Sequence, residues 1–154
     1  MDAVTYRQKG VRIHRAPMTT IKQTYPALAS LERSPFSAIL GLKVESAGAG
    51  AAEVRMPFDP RLLNDGGPDV PIHGGAIASL ADFAACAAVW TMPETQRSAT
   101  ISMTVNYTAP GIRSDLVARA RVRGKGRRVA SINVEIYDQA GALVADALVT
   151  YKIA

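Results

Sequence analysis

The sequence predicts an α+β fold, a curved antiparallel sheet of about six strands wrapped round one long central helix at about residues 73–91. Three observations carry this. Residues 76–89 hold no Pro, no Gly and no ionisable group except Asp82 and Cys86, in a run of good helix formers. Two strand-like runs precede that stretch and four follow it. The links between the later runs are too short for anything but antiparallel neighbours.

Ile21 to Leu40 reads as an amphipathic helical region with Leu28, Leu31, Phe36, Ile39 and Leu40 apolar, broken at Pro26 and Pro35. Gly41 to Glu45 alternates like a strand, Gly48-Ala49-Gly50 turns, and Ala51 to Met56 alternates again, which is a hairpin pattern. Residues 57–71 form an irregular loop with four prolines, two glycines and three aspartates. Loops of that length inside a compact domain are often functional. The helix at 73–91 follows, apolar nearly all round, and such helices are usually buried on every side. Strands are expected at 99–108, 115–123, 129–137 and 143–153. Turns at Ala109-Pro110-Gly111, Gly124-Lys125-Gly126 and Asp138-Gln139-Ala140-Gly141 separate them.

The 154 residues suffice for one domain with a proper core. One cysteine excludes an intrachain disulfide, and two histidines make a multi-His metal site an unlikely design, so neither metal nor cofactor is expected. The net charge of +5 is concentrated at the start: residues 1–24 carry +4, from Arg7, Lys9, Arg12, Arg15 and Lys22 against Asp2. We read 1–24 as a flexible basic leader and 25–154 as the single domain. Basic residues are not interleaved with aromatics, which disfavours nucleic acid as a partner. The apolar helix falls short of the roughly 20 residues of a membrane span, and the leader lacks the apolar core of a secretory signal, so a cytoplasmic location is expected.

Asp82 is the one charge in the apolar run. It is either a helix carboxylate reaching solvent or an arginine, or a buried acid kept as base or nucleophile. No basic residue lies within two turns of it, which favours the second reading, because an unpaired buried charge costs several kcal/mol. His73-Gly74-Gly75 opens the helix, where backbone N–H groups lack internal acceptors and the dipole is positive. Glycine there lets a ligand oxygen approach, as in an oxyanion hole, although an ordinary Gly-rich helix entry has the same sequence. Asp82 lies seven residues beyond Gly75, about 10 Å along the axis. One helix cannot easily bring both to one carbonyl, but two antiparallel helices across a two-fold axis can. A dimer with shared active sites is therefore expected.

These residues match a known pattern. Asn64, a loop, then HGGAIASLAD at 73–82, then a Thr/Ser-rich strand ending near Pro110, resembles the hotdog-fold acyl-CoA thioesterases. The likeness is greatest to the phenylacetic-acid-degradation (PaaI-type) branch of the 4-hydroxybenzoyl-CoA thioesterase-like superfamily, and it runs from about residue 35 to 153. It implies Asp82 as general base or nucleophile in thioester hydrolysis and Gly74 as the residue whose N–H polarises the carbonyl. It implies Asn64 as a residue that places water or substrate, and Thr100 as a hydroxyl that positions the water. It also implies an acyl-CoA substrate, aryl or alkyl, and tetramers built from two dimers. The stretch from Asn64 to His73 is a few residues longer than the family's usual spacing. Ser98 and Ser102 are the alternatives to Thr100.

Substrate contacts are expected from His73, Gly75, Leu63 and Phe83. For coenzyme A, seven of the 13 basic residues outside the leader fall between Arg113 and Arg128, and Gly126-Arg127-Arg128 resembles the family's Gly-Lys/Arg turn near the nucleotide. Arg119, Arg121 and Arg123 share a strand face, which suits a solvated outer sheet face equally well. The competing function is a non-catalytic acyl-CoA-binding module or sensor. A costly buried acid has no purpose in that reading.

Overall fold

The computed structural model describes residues 18–67, 69–93 and 95–154, with side chains from residue 21 onward. Three short helices come first: α1 (Met18–Thr24), α2 (Pro26–Glu32) and α3 (Pro35–Ile39). The prolines that interrupt the helical pattern stand at the first position of α2 and α3, where a missing N–H costs nothing. Residues 18–24, assigned to the leader on sequence, form a helix whose Ile21 is buried, and its Lys22 Nζ donates to Glu32 Oε2 at 2.7 Å. Buried Glu32 also accepts the Val44 N–H at 2.7 Å, which ties α1 and α2 to the first strand. The rest of the expected leader lies outside the described residues.

β1 (Lys43–Gly48) and β2 (Ala51–Met56) form the expected hairpin, with Ala49 and Gly50 both at positive φ in its turn. The helix α4 (Gly74–Trp90) follows, then β3 (Ser98–Tyr107), β4 (Leu116–Lys125), β5 (Val129–Tyr137) and β6 (Leu143–Ile153). All neighbours in the six-stranded sheet are antiparallel, in the order β1-β2-β4-β5-β6-β3. The chain-order reading fails at one place. β3 does not lie beside β4 but crosses to the far edge and pairs with β6, because the hairpins β4-β5-β6 occupy the positions between. One concave face packs on α4 through Val54, Leu116, Ile132, Ile136 and Val149, all buried.

α4 is not buried on every side. Ala76, Ile77, Leu80, Ala81, Phe83, Ala84, Ala85, Ala87, Ala88 and Val89 enter the core. Gly75 is exposed, and Ala78, Ser79, Asp82, Cys86 and Trp90 are half-buried, a stripe at helical spacing that the sheet leaves uncovered. Asp82 accordingly stands on the open stripe and is not a buried acid. Among the described residues no helix is long and apolar enough to cross a membrane.

Candidate active site

At the start of α4, His73 caps the helix: its Nδ1 accepts the Gly75 N–H at 2.9 Å, so this imidazole nitrogen carries no proton. The Ala76 and Ile77 N–H groups go to the His73 carbonyl. Gly74 N–H makes no hydrogen bond among the described residues, so it is the helix donor left open to a ligand. The Gly74 carbonyl accepts from Tyr107 Oη at 2.9 Å, and the tyrosine ring lies against the glycine. A Cβ at Gly74 would stand 3.3 Å from Tyr107 Cζ, which is why the position is tight for any side chain.

The long loop returns to this point. Leu63 bridges Ile72, the Asn64 N–H donates to Pro71 at 3.1 Å, and the His73 N–H donates to Leu62 at 2.7 Å. The loop thus closes on itself beyond Asn64, which stays beside the helix start. Asn64, Ile72, Gly74, Ile77, Tyr107 and Pro110 line one cleft of about 380 Å³.

Two turns further on, Asp82 Oδ1 accepts two hydroxyls, Thr100 Oγ1 and Tyr151 Oη, each at 2.7 Å. Tyr151 Oη also lies 3.1 Å from the Asp82 carbonyl. No Lys, Arg or His pairs with this carboxylate among the described residues. Thr100 and Tyr151 are direct cross-strand partners in the β3–β6 ladder. A bulge at Ile101 puts them on the same face. Met103 pairs with Val149 and Ser102 with Thr150, and the next pair skips Ile101. Regular alternation from Met103 would have turned Ile101 toward the helix and Thr100 away. Instead Ile101 is 56% exposed.

Asp82 opens into an apolar cavity of about 290 Å³, walled by Leu31 and Phe36 from the first helices, Phe83 and Cys86 from α4, and Met103 from β3. Burial pushes the Cys86 thiol up from its ordinary pKa, and the neighbouring Asp82 carboxylate adds to this. Burial pushes the Tyr151 phenol far above its ordinary value as well, with Cys86 and Asp82 adding to it. Both groups therefore stay protonated at neutral pH.

The expected site residues thus fall into separate places in one chain. Asp82 and Phe83 line the first cavity, with Thr100 outside its lining but hydrogen-bonded to Asp82, while Asn64 and Gly74 share the cleft at the helix start. Leu63 does not join Phe83 in the cavity; with His73 and Gly75 it lines an adjoining groove of about 280 Å³, bordered by Phe36. Gly74 and Asp82 are eight residues apart, about 12 Å along α4 and about 80° round it. Thr100 Oγ1 is engaged by the carboxylate.

Gly126, Arg127 and Arg128 form the exposed β4–β5 turn, where the Gly126 N–H donates to Val129 at 2.8 Å. The Arg128 carbonyl accepts from Ile153, which sets the turn at the Tyr151 end of β6. Arg119 pairs with Glu53 and lies 5.3 Å over the Tyr137 ring, so it belongs to the outer sheet face. The sequence reading missed Tyr107 and Tyr151. Tyr151 carried a signal: it falls on the inward parity of β6 between Val149 and Ile153, as a polar-tipped residue among apolar ones.

Comparison with known proteins agrees with this architecture. The family model described as thioesterase superfamily matches residues 72–145. The medium/long-chain acyl-CoA thioesterase YigI of Escherichia coli is 27% identical over 133 residues, covering 77% of this chain and 85% of the relative. A conserved protein of Pseudomonas aeruginosa has a structure with TM-score 0.73 at 32% identity, covering 81% of this chain and 98% of that one. The phenylacetic acid degradation protein PaaI of Thermus thermophilus, as an Asn-to-Asp mutant, gives TM-score 0.70 at 31% identity, over 79% of this chain and 100% of that one.

Proposed function

Because this chain belongs to the thioesterase superfamily and has its hotdog fold, we propose that it hydrolyses the thioester of an acyl-CoA, aryl or alkyl, to the free acid and coenzyme A. One observation carries the reading: Asp82 has two hydroxyl donors, no cationic partner among the described residues, and an apolar cavity beside it. A structural carboxylate on a helix would find a cation or full solvent. A carboxylate held by neutral donors at the mouth of an apolar cavity is placed for chemistry.

In this mechanism water attacks the thioester carbonyl carbon as Asp82 takes its proton, and the Gly74 N–H stabilises the oxyanion that forms. Collapse restores the carbonyl and expels the coenzyme A thiolate, which takes the proton back. The acyl group lies in the cavity walled by Phe36, Phe83 and Met103, while His73, Gly75 and Leu63 in the adjoining groove contact the rest of the substrate. Asn64 stands beside Gly74 as a second polar contact for carbonyl or water. The exposed Gly126-Arg127-Arg128 turn supplies cations for the coenzyme A phosphates.

The roughly 12 Å between Gly74 and Asp82 is too far for one carbonyl to meet both within one chain. We therefore propose a homodimer in which Gly74 of one subunit faces Asp82 of the other, with tetramers formed from two such dimers. The exposed edge strand β3, with Ile101 and Tyr107 open, is the surface available for that pairing.

The test is release of free CoA from a panel of aryl-, short-, medium- and long-chain acyl-CoAs, with wild type and Asp82→Asn. Wild type should turn over at least one class, and Asp82→Asn should lose about 10²–10⁴-fold in kcat. No release from any substrate, or an equally active variant, returns the chain to the acyl-CoA-binding reading.

A further inference from the structure

The two oxygens of Asp82 are not equivalent. Oδ1 accepts both Thr100 Oγ1 and Tyr151 Oη at 2.7 Å, the length of charge-assisted hydrogen bonds. Oδ2 has no hydrogen-bond partner among the described residues, and it is not a buried orphan. Among the described residues only Thr95 Oγ1 is a buried side-chain N or O atom without a hydrogen bond. Oδ2 is therefore open to solvent. A carboxylate offers about four lone-pair sites, and the two donors occupy those of one oxygen.

We propose that Tyr151 and Thr100 are a pair of positioning residues that lock Asp82 through Oδ1, leaving Oδ2 as the oxygen that takes the proton from water. This rests on the catalytic reading above and adds to it the identity of the reacting atom and a second role for Thr100. The proton of the attacking water passes to Oδ2, the hydroxyl joins the acyl carbon, and the C–S electron pair leaves with sulfur. The proton on Oδ2 then goes to the thiolate, so acid and thiol are both accounted for.

Three features make the clamp rigid. Tyr151 is 2% exposed and fixed between Val149 and Ile153 on the inner face of β6, so its ring has little room to turn. Its phenol has one proton, held on the oxygen by burial far above the ordinary pKa, so it is a donor throughout the working range. Thr100 stands directly opposite it across the ladder, brought inward by the bulge at Ile101. The titratable groups that face Asp82 are Cys86, one turn along α4, and Tyr151 itself, and both are neutral. The aspartate's orientation is thus decided by hydroxyl hydrogen bonds, not by an ion pair.

The experiment compares the full-length wild type, Tyr151→Phe, Thr100→Val, the double variant and Asp82→Asn on the acyl-CoA turned over best. Measurements are kcat, KM and Tm. Each single variant should lose roughly 10-fold in kcat with KM within about two-fold, since a donor that orients the carboxylate has gone. The double variant should lose more than either. A clamp that only props up the fold would lower Tm and leave kcat of the folded enzyme at the wild-type value, and that result overturns the proposal. So does a loss that falls on KM and spares kcat in folded Tyr151→Phe and Thr100→Val. If Tyr151→Phe fails to fold, Thr100→Val decides alone, because Thr100 lies on an exposed edge strand. Activity in Asp82→Asn would instead defeat the functional reading itself, so the two failures are distinguishable.

Discussion

Complementation between two inactive subunits tests the shared site directly. Gly74→Ala is the first perturbation. Its Cβ would lie 3.3 Å from Tyr107 Cζ and 3.4 Å from Cε1 and Oη, a few tenths of an ångström inside ordinary contact. Tyr107 is 54% exposed and can swing away, and alanine gains about 0.5–1 kcal/mol over glycine within a helix. Folding stability should therefore change by no more than about 0.5 kcal/mol, or about 2 °C in Tm. The methyl group, however, stands beside the one helix donor left open, where a carbonyl oxygen must come within about 3 Å. Loss of an oxyanion donor costs about 10²–10³-fold in kcat, and blocking it should approach the lower figure. Asp82→Asn is the second inactive partner. When the two variants are mixed one to one and allowed to exchange subunits, half of the dimers are mixed. If each site takes Gly74 from one subunit and Asp82 from the other, a mixed dimer has one site with both defects and one with neither. Activity should then rise from near zero to about a quarter of wild type. A site complete within one chain predicts no recovery at all, and a mixture that stays inactive after verified exchange would refute the 12 Å geometry on which the dimer rests.

Two further outcomes concern stability and not turnover. Glu32→Ala leaves the buried Val44 N–H without its acceptor and frees Lys22, which retains some contact with water. A loss of about 2 kcal/mol is expected, or about 4–8 °C in Tm, and a change under 2 °C would show that α1 and α2 are held by their apolar contacts alone. Alkaline stability should report Cys86 and Tyr151, both of whose pKa values are raised in the fold, chiefly by burial. The unfolded chain releases these protons first, so the stability they contribute is full below the unfolded values of about 8.5 and 10 and is lost as pH rises past each of them. Unfolding free energies from urea titrations between pH 7 and 11 should fall most steeply above pH 10, by up to about 1.4 kcal/mol per pH unit from Tyr151, and Tyr151→Phe should flatten that limb. Parallel curves for the two proteins would sink the assignment.

Much of the fold could be read from local pattern. The apolar run gave α4 to within a residue at each end, Pro26 and Pro35 marked the helix breaks, and β5 and β6 ended where alternation ended. Three features were beyond pattern. The open stripe of α4 holds Gly75, Ala78, Ser79, Cys86 and Trp90 around one Asp, residues that differ too little in polarity from the buried Ala, Leu and Phe to reveal a face. The partner of β3 depends on which strands fill the sheet first, a property of the whole chain. The clamp on Asp82 joins residues 69 positions apart, and period two through Met103 would have turned Thr100 outward. Thr100 was named only through resemblance to a family, and Tyr151 not at all, because a tyrosine at an inward strand position signals a buried polar tip without saying which distant residue its hydroxyl will meet.

The bulge at Ile101 divides β3 into two segments of opposite phase. Before it, the even positions Ser98 and Thr100 turn inward, toward Cys86 and Asp82; after it, the odd positions Met103, Val105 and Tyr107 do. Polar residues thus face the helix where the carboxylate lies and mostly apolar ones where the core lies, within a single ten-residue strand. The inserted residue that makes this change of phase is the same isoleucine that stands exposed on the outer edge of the sheet. One backbone irregularity therefore sets a hydroxyl against Asp82 and an apolar side chain out on the sheet edge, so the polar inner contact and the apolar outer one share a common geometric origin.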